Sequence, residues 1–140
     1  MSAPLLIVYH SQSGACFELA RAARAGALLE ESAEVLWRRA WDAGMAELQS
    51  CSGLLLVAAE NSATVCGAMK DFLDRCFYPA QDLQLSLPYG LIVSAGNDGR
   101  GAVAQVERIA RGFPLKPVAE PIICRGEPSD DHRQQAAELG

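Results

Sequence analysis

Three unbroken apolar runs, Leu5–Tyr9, Gly53–Ala59 and Leu91–Ser94, constrain this chain more than any other feature. A strand with one face in water alternates apolar and polar residues. A strand without that alternation is covered on both faces, as in a parallel sheet held between two layers of helix. Between the runs the apolar period changes from two to about 3.6. From Gly14 onward, Cys16, Leu19, Ala20, Ala23 and Ala27 share one helical stripe while Glu18, Arg21 and Arg24 point elsewhere. Val65, Met69, Phe72, Leu73 and Cys76 make a second stripe, opposite Lys70, Asp71, Asp74 and Arg75, with Asp71 and Arg75 spaced for an i, i+4 ion pair. Pro79 is expected to end that helix. Val103, Val106, Ile109 and Ala110 mark a third.

The remaining segments complete the alternation. Ala33–Arg39 reads as the second strand, followed by a short helix over Ala43–Ser50 with Asp42 as its cap. Val118–Cys124, interrupted by Pro121, reads as an edge strand, where a missing backbone donor is tolerated. Pro128-Ser129-Asp130-Asp131 is a helix start with acidic residues where the helix dipole favours them. Strand and helix thus alternate five times. The expected fold is α/β, a three-layer, doubly wound parallel sheet of five strands. With 140 residues the chain is expected to form a single domain over 1–140.

In such sheets ligands bind beyond the carboxyl ends of the strands. Three loops follow strands here: Ser11–Cys16, Glu60–Thr64 and Ala95–Gly101. The first runs Tyr9-His10-Ser11-Gln12-Ser13-Gly14 directly into a helix. The first turn of a helix carries unpaired N–H groups at the positive end of its dipole, so small hydroxyl residues and a glycine at that place suit a phosphate. The plainer reading of the same residues is a strand-to-helix turn capped by Ser13.

Composition removes other classes. Twelve Lys and Arg against 17 Asp and Glu give a net charge of -5, and no basic block occurs, so neither nucleic acid nor an anionic membrane is an expected partner. The N-terminal residues lack the basic region of a signal peptide. Five cysteines, Cys16, Cys51, Cys66, Cys76 and Cys124, are odd in number and contain no C-x-x-C pair, which argues against a disulfide frame and a structural zinc site. A reducing, cytoplasmic location is the expectation.

With the three loops placed, the sequence resembles the flavodoxin-like superfamily, and within it the small FMN-dependent NAD(P)H:quinone and FMN reductases. The resemblance runs through most of the chain. It is carried by Tyr9-His10-Ser11-Gln12-Ser13-Gly14, by Gly67-Ala68-Met69-Lys70-Asp71-Phe72-Leu73-Asp74-Arg75 after Glu60-Asn61, and by Ser94-Ala95-Gly96-Asn97-Asp98-Gly99. It implies strand order 2-1-3-4-5 and an FMN whose phosphate sits on Ser11, Ser13, Gly14, Ala15 and Cys16. It implies further that Glu60, Asn61, Ser62 and Ala63, with Ala95, Gly96, Asn97 and Gly99, flank the isoalloxazine with backbone groups, glycine allowing close approach. The flavin would supply the redox chemistry, passing a hydride from NAD(P)H to a quinone or similar acceptor, with no catalytic residue required of the protein.

Two departures from the family pattern matter. Cys16 stands where a threonine hydroxyl usually donates to the phosphate, and a thiol donates more weakly. The second loop offers Asn61, Ser62 and Ala63 and no aromatic, which forgoes roughly 0.5–1.5 kcal/mol of ring stacking. FMN is therefore expected to be bound weakly, or to have been lost. Two other functions stay open: a one-electron carrier of the flavodoxin type, and a cofactor-free binding module on the same fold. Glu60 reads either as a charge beside the flavin or as a solvated carboxylate. Cys16 reads as an inert core thiol or a reactive one, His10 as a hydrogen-bonded structural group. Trp37 and Trp41 lie where local packing, a ligand or the partner of a homodimer would cover them.

Overall fold

The computed structural model describes residues 4–10, 14–29, 34–61, 64–82, 87–95, 98–112 and 115–125. In chain order they form β1 (Leu5–Tyr9), α1 (Ala15–Ala27), β2 (Val35–Arg39), a 3-10 turn (Ala40–Asp42), α2 (Met45–Ser50) and β3 (Gly53–Asn61). There follow β4 (Thr64–Val65), α3 (Gly67–Asp82), β5 (Leu87–Ala95), α4 (Arg100–Gly112), β6 (Leu115–Pro117) and β7 (Ile122–Arg125). The helix expected from Pro128 lies outside the described residues.

All three apolar runs become inner strands. β1 pairs in parallel with β2 on one side and β3 on the other, and β3 pairs in parallel with β5. The outer position beside β5 is shared: β6 pairs with its start, Leu87–Tyr89, and β7 with its end, Ile92–Ala95. Counting β6 and β7 as two halves of one edge strand, and setting aside the two-residue β4, the order is 2-1-3-4-5. The edge strand expected over Val118–Cys124 is thus broken. Pro121 falls in the gap between the halves, where its missing N–H interrupts no ladder.

The pleat sends alternate residues of each run into two different cores. Leu6, Val8, Leu54, Leu56, Leu91 and Val93 meet Met69, Phe72, Leu73 and Cys76 of α3 and Ala102, Val106 and Ala110 of α4. Ile7, Leu55, Val57 and Ile92 meet Cys16, Leu19, Ala20 and Ala23 of α1. The small residues of the α1 stripe are all buried, which lets the helix backbone lie close on the sheet.

Two local expectations are corrected. α3 runs on to Asp82 with Pro79 inside it. One missing hydrogen bond near the end of a sixteen-residue helix does not outweigh the anchorage of Phe72, Leu73 and Cys76, which are 0–1% exposed. Asp42 does not cap α2: it pairs with Arg39 at 3.0 Å, and the cap residue before α2 is Gly44, whose N–H donates to Glu47 Oε1 at 2.8 Å. The second loop belongs to a β-hairpin, with Glu60 opposite Val65 and Asn61 opposite Thr64.

Candidate functional site

The carboxyl ends of β1, β3 and β5 define one rim of the sheet, and the starts of α1 and α4 stand on it. The two helix starts are built differently. α1 begins at Gly14, which adopts φ +97° and has no side chain with which to cap the first turn. A Cβ at Gly14 would meet nothing within 4 Å, so glycine is needed there for its backbone conformation and not for space. The Gly14 carbonyl accepts the first helical bond from Glu18 N–H at 3.0 Å. This start lies between β1 and β3, where the strand order reverses and where a ligand of such a sheet is expected.

α4 begins with its first turn already filled. Glu60, near the end of β3, accepts from the Gly99 N–H through Oε1 at 2.9 Å and from the Ala102 N–H through Oε2 at 3.1 Å. The side chain read as a charge beside a ligand, or as a solvated carboxylate, is a helix cap supplied from 39 residues away. Gln105 of α4 adds a second tie, accepting from the Val65 N–H at 2.7 Å, and the Cys66 N–H donates to the Ala59 carbonyl at 2.8 Å. The β3–β4 hairpin and the start of α4 are therefore one unit.

Gly99 has φ +88°, and a Cβ there would lie 2.5 Å from Ile123 Cγ2. With its N–H given to Glu60 and its Cα against β7, the close approach that glycine allows at this position serves packing on Ile123. Ala95 is 5% exposed and pairs with Arg125 at the end of β7. Asp98 accepts from Arg100 Nε at 2.6 Å and has Arg125 Nη2 at 3.9 Å, so its carboxyl is held below the usual carboxylate range, chiefly by the Arg100 hydrogen bond.

Of the two readings of Cys16 the structure favours the core thiol, which is buried under α1 and 2% exposed. Burial pushes it up to about 12; the neighbouring Cys66 and Cys124 add to the rise, and hydrogen bonding with Ser94 opposes it. What Cys16 can offer an anion is its backbone N–H, together with that of Ala15. All five cysteines are buried thiols. Among the described residues no three His, Cys, Asp or Glu side chains gather as a metal site. Ser11, Ser13, Ser62, Ala63, Gly96 and Asn97 lie outside the described residues, and of Asn61 the structure gives its backbone place at the end of β3.

The β2 side of the rim carries features that periodicity alone does not single out. The 3-10 turn after β2 exposes Trp41 by 59%, and its ring meets His10 edge-on with centroids 6.2 Å apart. Trp37 instead packs with Tyr9 and Phe17 and lies under the Arg24 guanidinium at 5.1 Å, which settles it as local packing. An apolar hollow of about 190 Å³, lined by Leu5, Gly53, Leu55, Pro88, Gly90 and Val118, opens at the amino ends of β1, β3 and β5, away from the rim, and brings no charged group to it. No described helix is long and apolar enough to cross a membrane.

Neither a model of a known family nor a curated protein matches the sequence. Solved structures do. A flavodoxin from the domain Archaea superposes with a TM-score of 0.83 at 18% identity, covering 97% of this chain and 92% of its own. A WrbA-like flavodoxin from Agrobacterium tumefaciens gives 0.82 at 16%, covering 98% and 92%. The rubredoxin oxygen:oxidoreductase of Desulfovibrio gigas gives 0.84 at 14%, with 99% of this chain matching 35% of that longer one. At these identities the likeness is one of fold, and the fold is flavodoxin-like.

Proposed function

We propose that this chain is an FMN-binding flavoprotein acting as an NAD(P)H-dependent reductase, which passes electrons from a nicotinamide to a quinone or similar acceptor. The observation that carries the reading is the place of the α1 start, at Gly14 on the rim and at the point where strand order reverses. The other helix start on the rim, that of α4, has the Glu60 carboxylate on its Gly99 and Ala102 N–H groups. A phosphate dianion drawn to this rim is repelled by the carboxylate at α4 and has the positive end of α1 to bind, beside Ser11 and Ser13 in the sequence. The first-turn N–H groups of α1 would hold the phosphate, and the hairpin end Glu60-Asn61 with Ala95 would flank the ring. FMN, when bound there, supplies the hydride and electron chemistry. The chain's part is to bind and orient it and to hold the hairpin and α4 as one wall.

The second reading, a one-electron carrier, is favoured by extent. The chain matches single-domain flavodoxins over nearly their full length, with 97% of this chain against 92% of the archaeal one. A visible spectrum of the purified protein, followed by FMN titration, tests what both readings share. A bound flavin is expected, with shifted absorbance and quenched fluorescence. Colourless protein whose added FMN keeps the spectrum of free flavin overturns both and leaves a cofactor-free module on this fold. Given FMN binding, steady oxidation of NADH or NADPH with a quinone supports the reductase, and its absence supports the carrier.

A further inference from the structure

We propose that Trp41 and Arg39, on the β2 side of the first loop, form a subsite for the adenylate end of a dinucleotide, so that the rim accepts a ligand longer than FMN. The inference rests on the preceding reading for the place of the phosphate beside it, and on independent features of the turn for the rest.

An exposed tryptophan on a loose loop would mean little, but this one is presented by a clamped turn. Its neighbours Ala40 and Ala43 are 0% and 2% exposed. Their carbonyls accept from the two terminal nitrogens of Arg75, Nη2 to Ala40 O at 2.9 Å and Nη1 to Ala43 O at 2.7 Å. The guanidinium is itself fixed by Nε donating to Asp71 at 2.7 Å. Backbone on both sides of Trp41 and Asp42 is thereby pinned to α3, while the indole between the pinned points stays 59% exposed.

The placement is equally specific. Tyr9 and Arg39 are level in the β1–β2 register, so His10 and Ala40 leave the sheet together, and the Trp41 ring lies against His10. Trp41 therefore stands one strand away from the entrance to the first loop. Among the described residues the large hydrophobic side chains that remain exposed are Phe17, Leu28, Leu29, Trp41, Tyr78 and Val118, and of these Trp41 follows a strand end on the rim. The other wall, at Glu60, Asn61 and Ala95, has no aromatic.

A flavin lying over β3 and β5, with its phosphate at α1, runs from the aromatic-free wall toward β2. FMN ends at the phosphate. A ligand that continues through a second phosphate to a nucleobase reaches Arg39 and then Trp41. The base stacks on an indole face, and Arg39 supplies the counter-charge. Arg39 is held by Asp42 at 3.0 Å, but the two side chains are 67% and 51% exposed, so this pair is weak and the five-donor guanidinium can be shared with a phosphate. The shared chemistry is an adenosine phosphate, which both FAD and NAD(P)H carry.

Trp37 and Trp41 are the two tryptophans of the chain, so Trp37→Phe leaves Trp41 as sole reporter. ADP, FMN, FAD and NADPH are titrated separately against its emission, with equilibrium dialysis of the same nucleotides on wild type and Trp41→Ala as the check should Trp37→Phe fold poorly. Saturable quenching by ADP is expected, with FAD binding about tenfold tighter than FMN. Trp41→Ala should abolish that tenfold gain while FMN affinity stays within about twofold. A Trp41-dependent gain for NADPH but not FAD would support the subsite and assign it to the nicotinamide nucleotide. ADP quenching without FMN binding would support the subsite while overturning the flavin reading. Absence of ADP binding in both assays, or no Trp41-dependent gain over FMN for either FAD or NADPH, overturns the proposal.

Discussion

Glu60 and Gly99 are joined across 39 residues by a hydrogen bond of 2.9 Å, carboxylate oxygen to backbone N–H, and this contact turns two of the three rim loops into one wall. The second oxygen takes the Ala102 N–H at 3.1 Å, so one side chain serves two of the donors that an α-helix start leaves without partners. Asp98 adds a local contribution, its carboxylate taking Arg100 Nε at 2.6 Å and a hydrogen bond from the Arg100 backbone.

Removing this cap should be felt as stability. Glu60→Ala leaves the Gly99 and Ala102 N–H groups unpaired and removes a negative charge from the positive end of α4, and is expected to cost about 1–2 kcal/mol. Glu60→Gln keeps one accepting oxygen and should cost about half as much. Urea unfolding of the two variants beside wild type measures this, and equal midpoints for Glu60→Ala and wild type would refute the cap.

The two left-handed glycines should respond differently to the same substitution. At Gly14, with φ +97° and open space around it, Gly14→Ala is expected to cost about 1 kcal/mol of backbone strain. At Gly99 the strain is joined by a Cβ 2.5 Å from Ile123 Cγ2, and overpacking brings the expected loss to about 3 kcal/mol. Denaturant midpoints falling further for Gly99→Ala than for Gly14→Ala test the difference.

Both glycines also mark where sequence reasoning reached its limit. The fold was legible because burial on two faces leaves a direct trace: the runs at Leu5, Gly53 and Leu91 became inner strands, and the Cys16–Ala27 stripe became the buried face of α1. The rim was legible as a place, since strand ends and helix starts are local features. What filled it was not. Glu60 reaches a donor 39 positions on, the Cys16 side chain is aimed by the rotation of α1 on the sheet, and Arg75 binds carbonyls 32 and 35 residues earlier. None of these pairs leaves a periodic or compositional mark. Pro79 misled for a related reason: its cost is local, but the anchorage that outweighs it is tertiary.

Arg75 offers a test of which of its contacts matters. Its ion pair with Asp71 at 2.7 Å joins side chains 40% and 44% exposed, and Asp71→Asn is expected to cost no more than about 0.5 kcal/mol. Its fork on the Ala40 and Ala43 carbonyls is different, because an ammonium cannot reproduce two diverging donors. Arg75→Lys should cost about 1–2 kcal/mol, and should redden the emission of Trp41 as the turn loosens. Thermal or urea unfolding of the two variants, with emission spectra, separates the contributions. An Asp71→Asn loss as large as that of Arg75→Lys would place the energy in the ion pair.

The buried thiols set the alkaline limit of stability. Burial raises Cys16 to about 12 and Cys76 to about 11, from an ordinary value of 9.0 that each regains on unfolding. Each folded thiol holds its proton more tightly than the unfolded one, so its contribution is fully present below about pH 9 and is lost as pH rises toward 11 for Cys76 and 12 for Cys16. In that window each thiol should steepen the fall in unfolding free energy by up to about 1.4 kcal/mol per pH unit. Cys16→Ala should flatten the decline, although it lowers stability at pH 7 by opening space under α1. The same burial predicts that a disulfide reagent at pH 8 labels native protein slowly and all five cysteines at once in denaturant. Urea unfolding at half-unit steps from pH 7 to 11 decides it: a stability flat above pH 9, or a fast-reacting thiol in the native state, would mean that Cys16 faces the rim after all.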